Sequence, residues 1–144
     1  SQRLIMETGG CLCGSIRYKF ERENVVSSLH CHCTDCQKAT GSGKATITMI
    51  PTDKLEIQGD VKIFSVVGTD GGHVHRGFCS ECGSPIISYL TELPDLRFIK
   101  AGSLDDPSWV KVESSIWSST AHQWDPVNEG FPSFPENLPE GALG

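Results

Sequence analysis

The sequence predicts an all-β domain built from small antiparallel sheets, and three observations carry that expectation. Short β-branched or aromatic runs recur along the chain, bounded by Gly, Pro, Asp and Asn. No stretch with the helical period exceeds about ten residues. At 144 residues the chain is one domain by length. Many short strands at such spacing close into antiparallel sheets rather than a helical layer.

The first strand expected is Gly14 to Phe20, where Ile16, Tyr18 and Phe20 alternate onto one face. Val26 to Cys33, Lys44 to Ile50, Leu55 to Gln58 and Val61 to Val67 follow. His73 to Cys79, Ile86 to Leu90, Arg97 to Ala101 and Val110 to Ile116 complete the set. One helical turn is expected at residues 35 to 40, with Thr34 and Gln37 at capping-box spacing and Gly41-Ser42-Gly43 ending it. The globular part is read as residues 7–125. Residues 126–144 read as a Pro/Gly-rich tail, because Pro126, Pro132, Pro135 and Pro139 rule out regular structure; Phe131 and Phe134 are its candidate pins.

Composition narrows the function. The hydrophobic fraction of 38% is low, so cross-links would help offset chain entropy. A formal charge of -6 with no basic cluster disfavours nucleic acid. Ser1 to Gly10 has no apolar leader segment, and no run approaches the roughly 18 apolar residues of a membrane span. The expectation is a cytoplasmic protein with reduced thiols.

Those thiols are the most informative feature. Seven cysteines fall into three groups: Cys11-Leu12-Cys13, Cys31-His32-Cys33-Thr34-Asp35-Cys36, and Cys79-Ser80-Glu81-Cys82. An odd count fits disulfides poorly and fits Zn²⁺ well, since four thiolates close a structural site and three leave a position open. Residues two apart on a strand share a face, so Cys11 and Cys13 can meet one ion, as can Cys31 and Cys33. Spacing leaves two pairings. Cys33 and Cys36 with Cys79 and Cys82 would make one zinc ribbon and leave three bystander thiols. Alternatively, Cys11, Cys13, Cys79 and Cys82 form the closed site and Cys31, Cys33 and Cys36 an open one. The adjacency of the last three favours this second pairing, as it needs little loop closure.

The runs GGCLCGSIRY, CHCTDCQKATGSG, GFCSECGSPI and KAGSLDDP resemble the glutathione-dependent formaldehyde-activating enzyme family, whose domain centromere protein V shares. The resemblance extends from about Thr8 to Trp124, and FPSFPENLP in the tail is similar to the family's ending. It implies a β-tent fold, a structural zinc on Cys11, Cys13, Cys79 and Cys82, and a catalytic zinc on Cys31, Cys33 and Cys36, two ions per chain. It also implies a carbon–sulfur lyase that forms or cleaves S-hydroxymethylglutathione.

The chemistry of the residues agrees with that implication. Three thiolates around Zn²⁺ leave a weak Lewis acid, poor at activating water but suited to holding an incoming thiol. Such a thiol attacks a small aldehyde; the reverse step cleaves a carbon–sulfur bond. His30 and His32 are expected to face away from the ligands, and His73 and His75 to lie on a strand face too far along the chain to share an ion with Cys79. Lys38, Lys44 and Arg76 are candidate partners for glutathione carboxylates, although surface charge explains each as well. Trp109, Trp117 and Trp124 are expected in the core or a cleft rim, and no residue beyond the open zinc site takes a catalytic role. Two other classes compete: a zinc-stabilised module that binds a protein partner without turnover, and an oxidisable thiol sensor.

Overall fold

The computed structural model describes residues 4–142, so the first three residues of the leader reading and the last two of the tail lie outside the described residues. Among the described residues, ten strands form two sheets around one short α-helix. They are β1 Met6–Gly10, β2 Arg17–Glu21, β3 Ser27–Cys31, β4 Ala45–Pro51, β5 Glu56–Gln58, β6 Val61–Val67, β7 His73–Cys79, β8 Pro85–Leu90, β9 Leu96–Lys100 and β10 Val112–Ile116, with α1 at Thr34–Thr40. The small sheet runs β1-β2-β5 and the large one β10-β3-β4-β9-β8-β7-β6.

Side-chain alternation divides the interior in two. Tyr18 and Phe20 of β2 meet Ile50, Ile86 and Ile99 of the large sheet, and together with Ile16 and Leu104 they fill the space between the sheets. Strand β4 is buried on both faces. Its Ile47 and Met49 turn the other way, joining Leu29, Cys31, Cys36 and Ala45 in a second cluster beneath α1.

Three features depart from the sequence reading. Strand β1 was not expected, because METGG lacks an apolar alternation: Met6 is exposed while Glu7 is buried against Arg22 Nη2 at 2.9 Å. The pair β10–β3 is parallel, the exception to the antiparallel rule, with Ile116 beside Cys31. The helix is capped by Cys33 rather than Thr34. Its Sγ accepts the Cys36 amide at 3.2 Å, while Gln37 Nε2 donates instead to the carbonyls of His32 and Thr120. Gly41 closes the helix at φ 71°, a left-handed conformation that favours glycine.

The described part of the Pro-rich segment forms no strand but lies along β10. Phe134 N donates to Ser115 O at 2.9 Å, Ser115 N to Pro132 O at 3.0 Å and Trp117 N to Glu136 O at 2.9 Å. The ring of Phe131 packs edge-on to His30, 5.8 Å between centroids. No helix among the described residues is long and apolar enough to cross a membrane.

Candidate metal centres and the adjoining cavity

Two turns bring the first set of sulfurs together. After β1 the chain folds back through Cys11 to Ile16, with Gly14 N donating to Cys11 O at 3.1 Å and Ile16 N reaching Cys11 Sγ at 3.2 Å. After β7, Gly83 takes φ 76° and donates to Cys79 O at 2.9 Å, while the amides of Glu81 and Cys82 point at Cys79 Sγ. The two turns are tied by Leu12 N donating to Ser84 Oγ at 3.0 Å. Cys11, Cys13, Cys79 and Cys82 thereby place all four sulfurs within 4.8 Å of one another. The separations Cys11–Cys13 of 3.5 Å and Cys13–Cys79 of 3.7 Å approach the spacing of about 3.8 Å that a tetrahedron with Zn–S bonds of about 2.3 Å requires. The donor set fits a closed zinc site, and it stands where the small sheet meets the large one.

The environment favours thiolate at Cys11 and Cys82, whereas at Cys13 Ser15 pulls the thiol down but its shared bonds with Cys11 and Cys79 and its burial together push it up. Burial raises the Cys11 thiol, but the Ile16 amide and the Ser15 hydroxyl outweigh it and bring the group down to about 5. Ser84, through its hydroxyl and then its amide, lowers Cys82 to about 7.

The second set needs no distant turn. Cys31 ends β3, Cys33 caps α1 and Cys36 sits in its first turn; their sulfurs also lie within 4.8 Å of one another. Three soft donors with no fourth protein sulfur fit a metal that keeps one position open. Among the described residues, then, Cys33 and Cys36 group with Cys31 and not with Cys79 and Cys82. Hydrogen bonds from Cys31 and then Cys33 push Cys36 far down, with Lys100 and Arg76 adding positive charge, whereas the same sharing pushes Cys31 up. Both terminal nitrogens of Arg76 lie 3.9 Å from Cys36 Sγ. Lys100, lowered by desolvation, donates to Ser88 Oγ at 2.9 Å.

The three cysteines open onto a cavity of about 860 Å³, bounded also by Arg76, Ser88, the turn at 68–72 and the tail from Asn137 to Ala142. The tail is thus a wall of this cavity. Trp117, at φ 58°, donates from Nε1 to Asn137 Oδ1 at 2.8 Å, and Asn137 Nδ2 in turn donates to Asp70.

The other sequence candidates sort plainly. His32 is fully buried with neither ring nitrogen partnered, and His30 packs beside it. His73 pairs with Glu92 at 2.6 Å, and His75 bonds Ser65 and Thr91 while stacking on Tyr89; neither reaches the cavity. Lys38 is exposed and Lys44 pairs with Asp125. Trp109 packs on Phe20 and Trp117 on the second core, but Trp124 is 68% exposed and rests on His122. Lys100 was missed, since its approach to Cys36 depends on the β4–β9 pairing, which no local pattern encodes.

Fold and sites together define a small, mostly β protein with two cysteine clusters able to hold metal, one of them facing a cavity. The model of the glutathione-dependent formaldehyde-activating enzyme family matches residues 6–120, and the chain belongs to that family. A Halomonas elongata protein provisionally named as such an enzyme is 23% identical over 134 residues, covering 74% of this chain and 80% of that one. A Talaromyces marneffei protein with the same provisional name is 25% identical over 134 residues, covering 90% and 67%. A crystal structure of a Rhodobacter sphaeroides protein shares the fold, with a TM-score of 0.56, 17% identity and coverage of 88% and 98%.

Proposed function

We propose that this chain is a zinc-dependent carbon–sulfur lyase that forms or cleaves a thiol–aldehyde adduct such as S-hydroxymethylglutathione. The observation that supports it is the three-sulfur set, Cys31, Cys33 and Cys36, at the floor of a cavity large enough for a drug-sized ligand. Cys11, Cys13, Cys79 and Cys82 would hold a structural zinc, and the three-cysteine set a second.

When bound at the open set, zinc supplies a soft Lewis acid that favours sulfur over oxygen and lowers a thiol's pKa. The chain's own residues do the rest. Cys31, Cys33 and Cys36 present their sulfurs from one strand end and one helix turn, so their geometry is fixed by regular backbone, with Cys31 and Cys36 buried. Arg76 balances the negative charge of that set and lines the same cavity, where its guanidinium is a donor for an adduct's oxygen. In the forward direction the thiol sulfur bonds the carbonyl carbon and the thiol proton ends on the carbonyl oxygen. The reverse returns both reactants, and no other co-reactant is needed. A protein-binding module without turnover would not need a deep cavity beside three converging thiols.

Exchange spectroscopy on a glutathione–formaldehyde mixture tests the reading. The zinc-loaded chain is expected to accelerate adduct exchange above the spontaneous rate, and Cys36→Ser to abolish the gain. Equal exchange with and without protein, for glutathione and for small and apolar thiols alike, would overturn it.

A further inference from the structure

The cavity wall is chemically unlike the thiol in the family's name. From β3 and β4 it receives Leu29, Ile47 and Met49, and from β7 and β8 Val74 and Leu90. Phe98, Ile116, Trp117 and Leu138 close the remaining sides. The charged groups in the described wall are Arg76 and the acids Asp35, Asp70, Glu92 and Glu140. Arg76 stands beside Cys36, where it serves the reacting oxygen rather than the substrate's body, and Asp70, Glu92 and Glu140 are solvent-exposed, so they stand at the rim while buried Cys31 and Cys36 and half-buried Cys33 lie at the floor.

Glutathione carries two carboxylates and one ammonium. With its sulfur at the cysteine floor, its body would lie against aliphatic and aromatic walls, and its carboxylates would meet either those walls or the acidic rim. Stripping a carboxylate of water without a partner is costly, and like charges add to the cost. A neutral apolar body meets neither penalty and gains from every apolar surface it covers.

Resting on the lyase reading above, we propose that the substrate of this chain is a thiol adduct whose body is neutral, apolar and at least the size of an aromatic ring, rather than glutathione. Sulfur bonds to the carbonyl carbon and the proton goes to the carbonyl oxygen as before; only the body changes. Leu138 and Trp117 set the preference from the side where the tail folds over, and Asn137 holds that side in place through Trp117 and Asp70.

Equilibrium binding to the zinc-loaded chain tests the proposal with two probe pairs. The thiol pair is benzyl mercaptan and glutathione; the sulfur-free pair is 2-phenylethanol and the tripeptide in which alanine replaces the cysteine of glutathione. The apolar member of each pair is expected to bind at least about tenfold more tightly. Leu138→Asp, at the periphery of the second core, is expected to weaken the apolar probes by about tenfold and to narrow the gap. The sulfur-free pair separates the two readings: a preference for the apolar member of each pair, with neither thiol bound more tightly than its sulfur-free counterpart, upholds the cavity's selectivity and defeats the lyase reading. Tighter or equal binding of glutathione and its alanine analogue overturns the proposal, as does failure of both apolar probes to bind.

Discussion

Arg76 Nη1 and Nη2 both stand 3.9 Å from Cys36 Sγ, so a guanidinium from β7 faces a sulfur from α1 across forty residues of sequence. The pairing places a permanent cation against a cluster that would otherwise gather up to three negative charges. It also uses the weakly hydrated side chain suited to such a partly buried position.

Removing that cation leaves Lys100 as the remaining positive side chain acting on Cys36. Arg76→Met, which keeps most of the apolar stem, is expected to lower the rate of adduct exchange by about tenfold to a hundredfold, in the range of a lost charge-stabilising donor. Arg76→Lys should recover only part of it, because an ammonium cannot present two nitrogens to one sulfur. Unchanged exchange in Arg76→Met would make the residue a bystander.

The two cysteine sets differ in what they join, and variants should show it. The four-sulfur set ties the small sheet to β7, so Cys79→Ser is expected to cost more than about 4 kcal/mol, the range in which loss of a metal site belongs. The three-sulfur set lies within contiguous chain, and Cys36→Ser should cost below about 2 kcal/mol. Elemental analysis of fully loaded protein should find two zinc ions per chain, one in Cys36→Ser after mild chelation. Equal destabilisation by the two substitutions would deny them separate roles.

What was legible in the sequence was what period and spacing encode. Val61–Val67 and His73–Cys79 emerge with the expected bounds, and Gly41 ends the helix as its position required. The three cysteines within six residues needed no tertiary information to be grouped. What lay beyond reach depends on pairings distant in the chain. Strand β1 exists because its backbone pairs with β2 and buries Glu7 on Arg22, a polar contact that mimics none of the usual strand patterns. The tail's part in the cavity rests on Asn137 bridging Trp117 and Asp70, side chains up to 67 residues apart. Only the pins at Phe131 and Phe134 showed in composition.

Gly9 of β1 illustrates such a hidden constraint. A Cβ there would run into the Tyr18 ring and stand 2.6 Å from Ser103 O, where backbone cannot easily yield. Tyr18 Oη is bonded to Ser103 Oγ at 2.7 Å, so shifting the ring also breaks a partly buried hydrogen bond. Gly9→Ala should therefore destabilise by about 2–4 kcal/mol. Urea melts against Gly102→Ala, whose Cβ meets open space, isolate the clash. A loss under about 0.5 kcal/mol would show that Tyr18 repositions freely.

The four-sulfur set also predicts how the metal-free protein responds to pH. Cys11 is held down at about 5 and Cys82 at about 7, both below the ordinary thiol range. A group depressed in the folded state binds fewer protons there than in the unfolded chain, so stability rises with pH between the two values. The contribution is complete above the ordinary thiol range, declines as pH falls through 7 where Cys82 protonates, and disappears below about 5 with Cys11. The gap in urea midpoint between chelator-treated wild type and Cys11→Ser should accordingly widen as pH rises from 5 to 9, a difference in which the opposing contributions of the raised thiols Cys13, Cys31 and Cys33 largely cancel. Ser84→Ala, which removes the hydroxyl that lowers Cys82, should move the Cys82 part toward higher pH while leaving the Cys11 limb in place. A gap that narrows with rising pH would mean that repulsion among the sulfurs, and not hydrogen bonding from Ile16 and Ser15, governs Cys11 in the metal-free site.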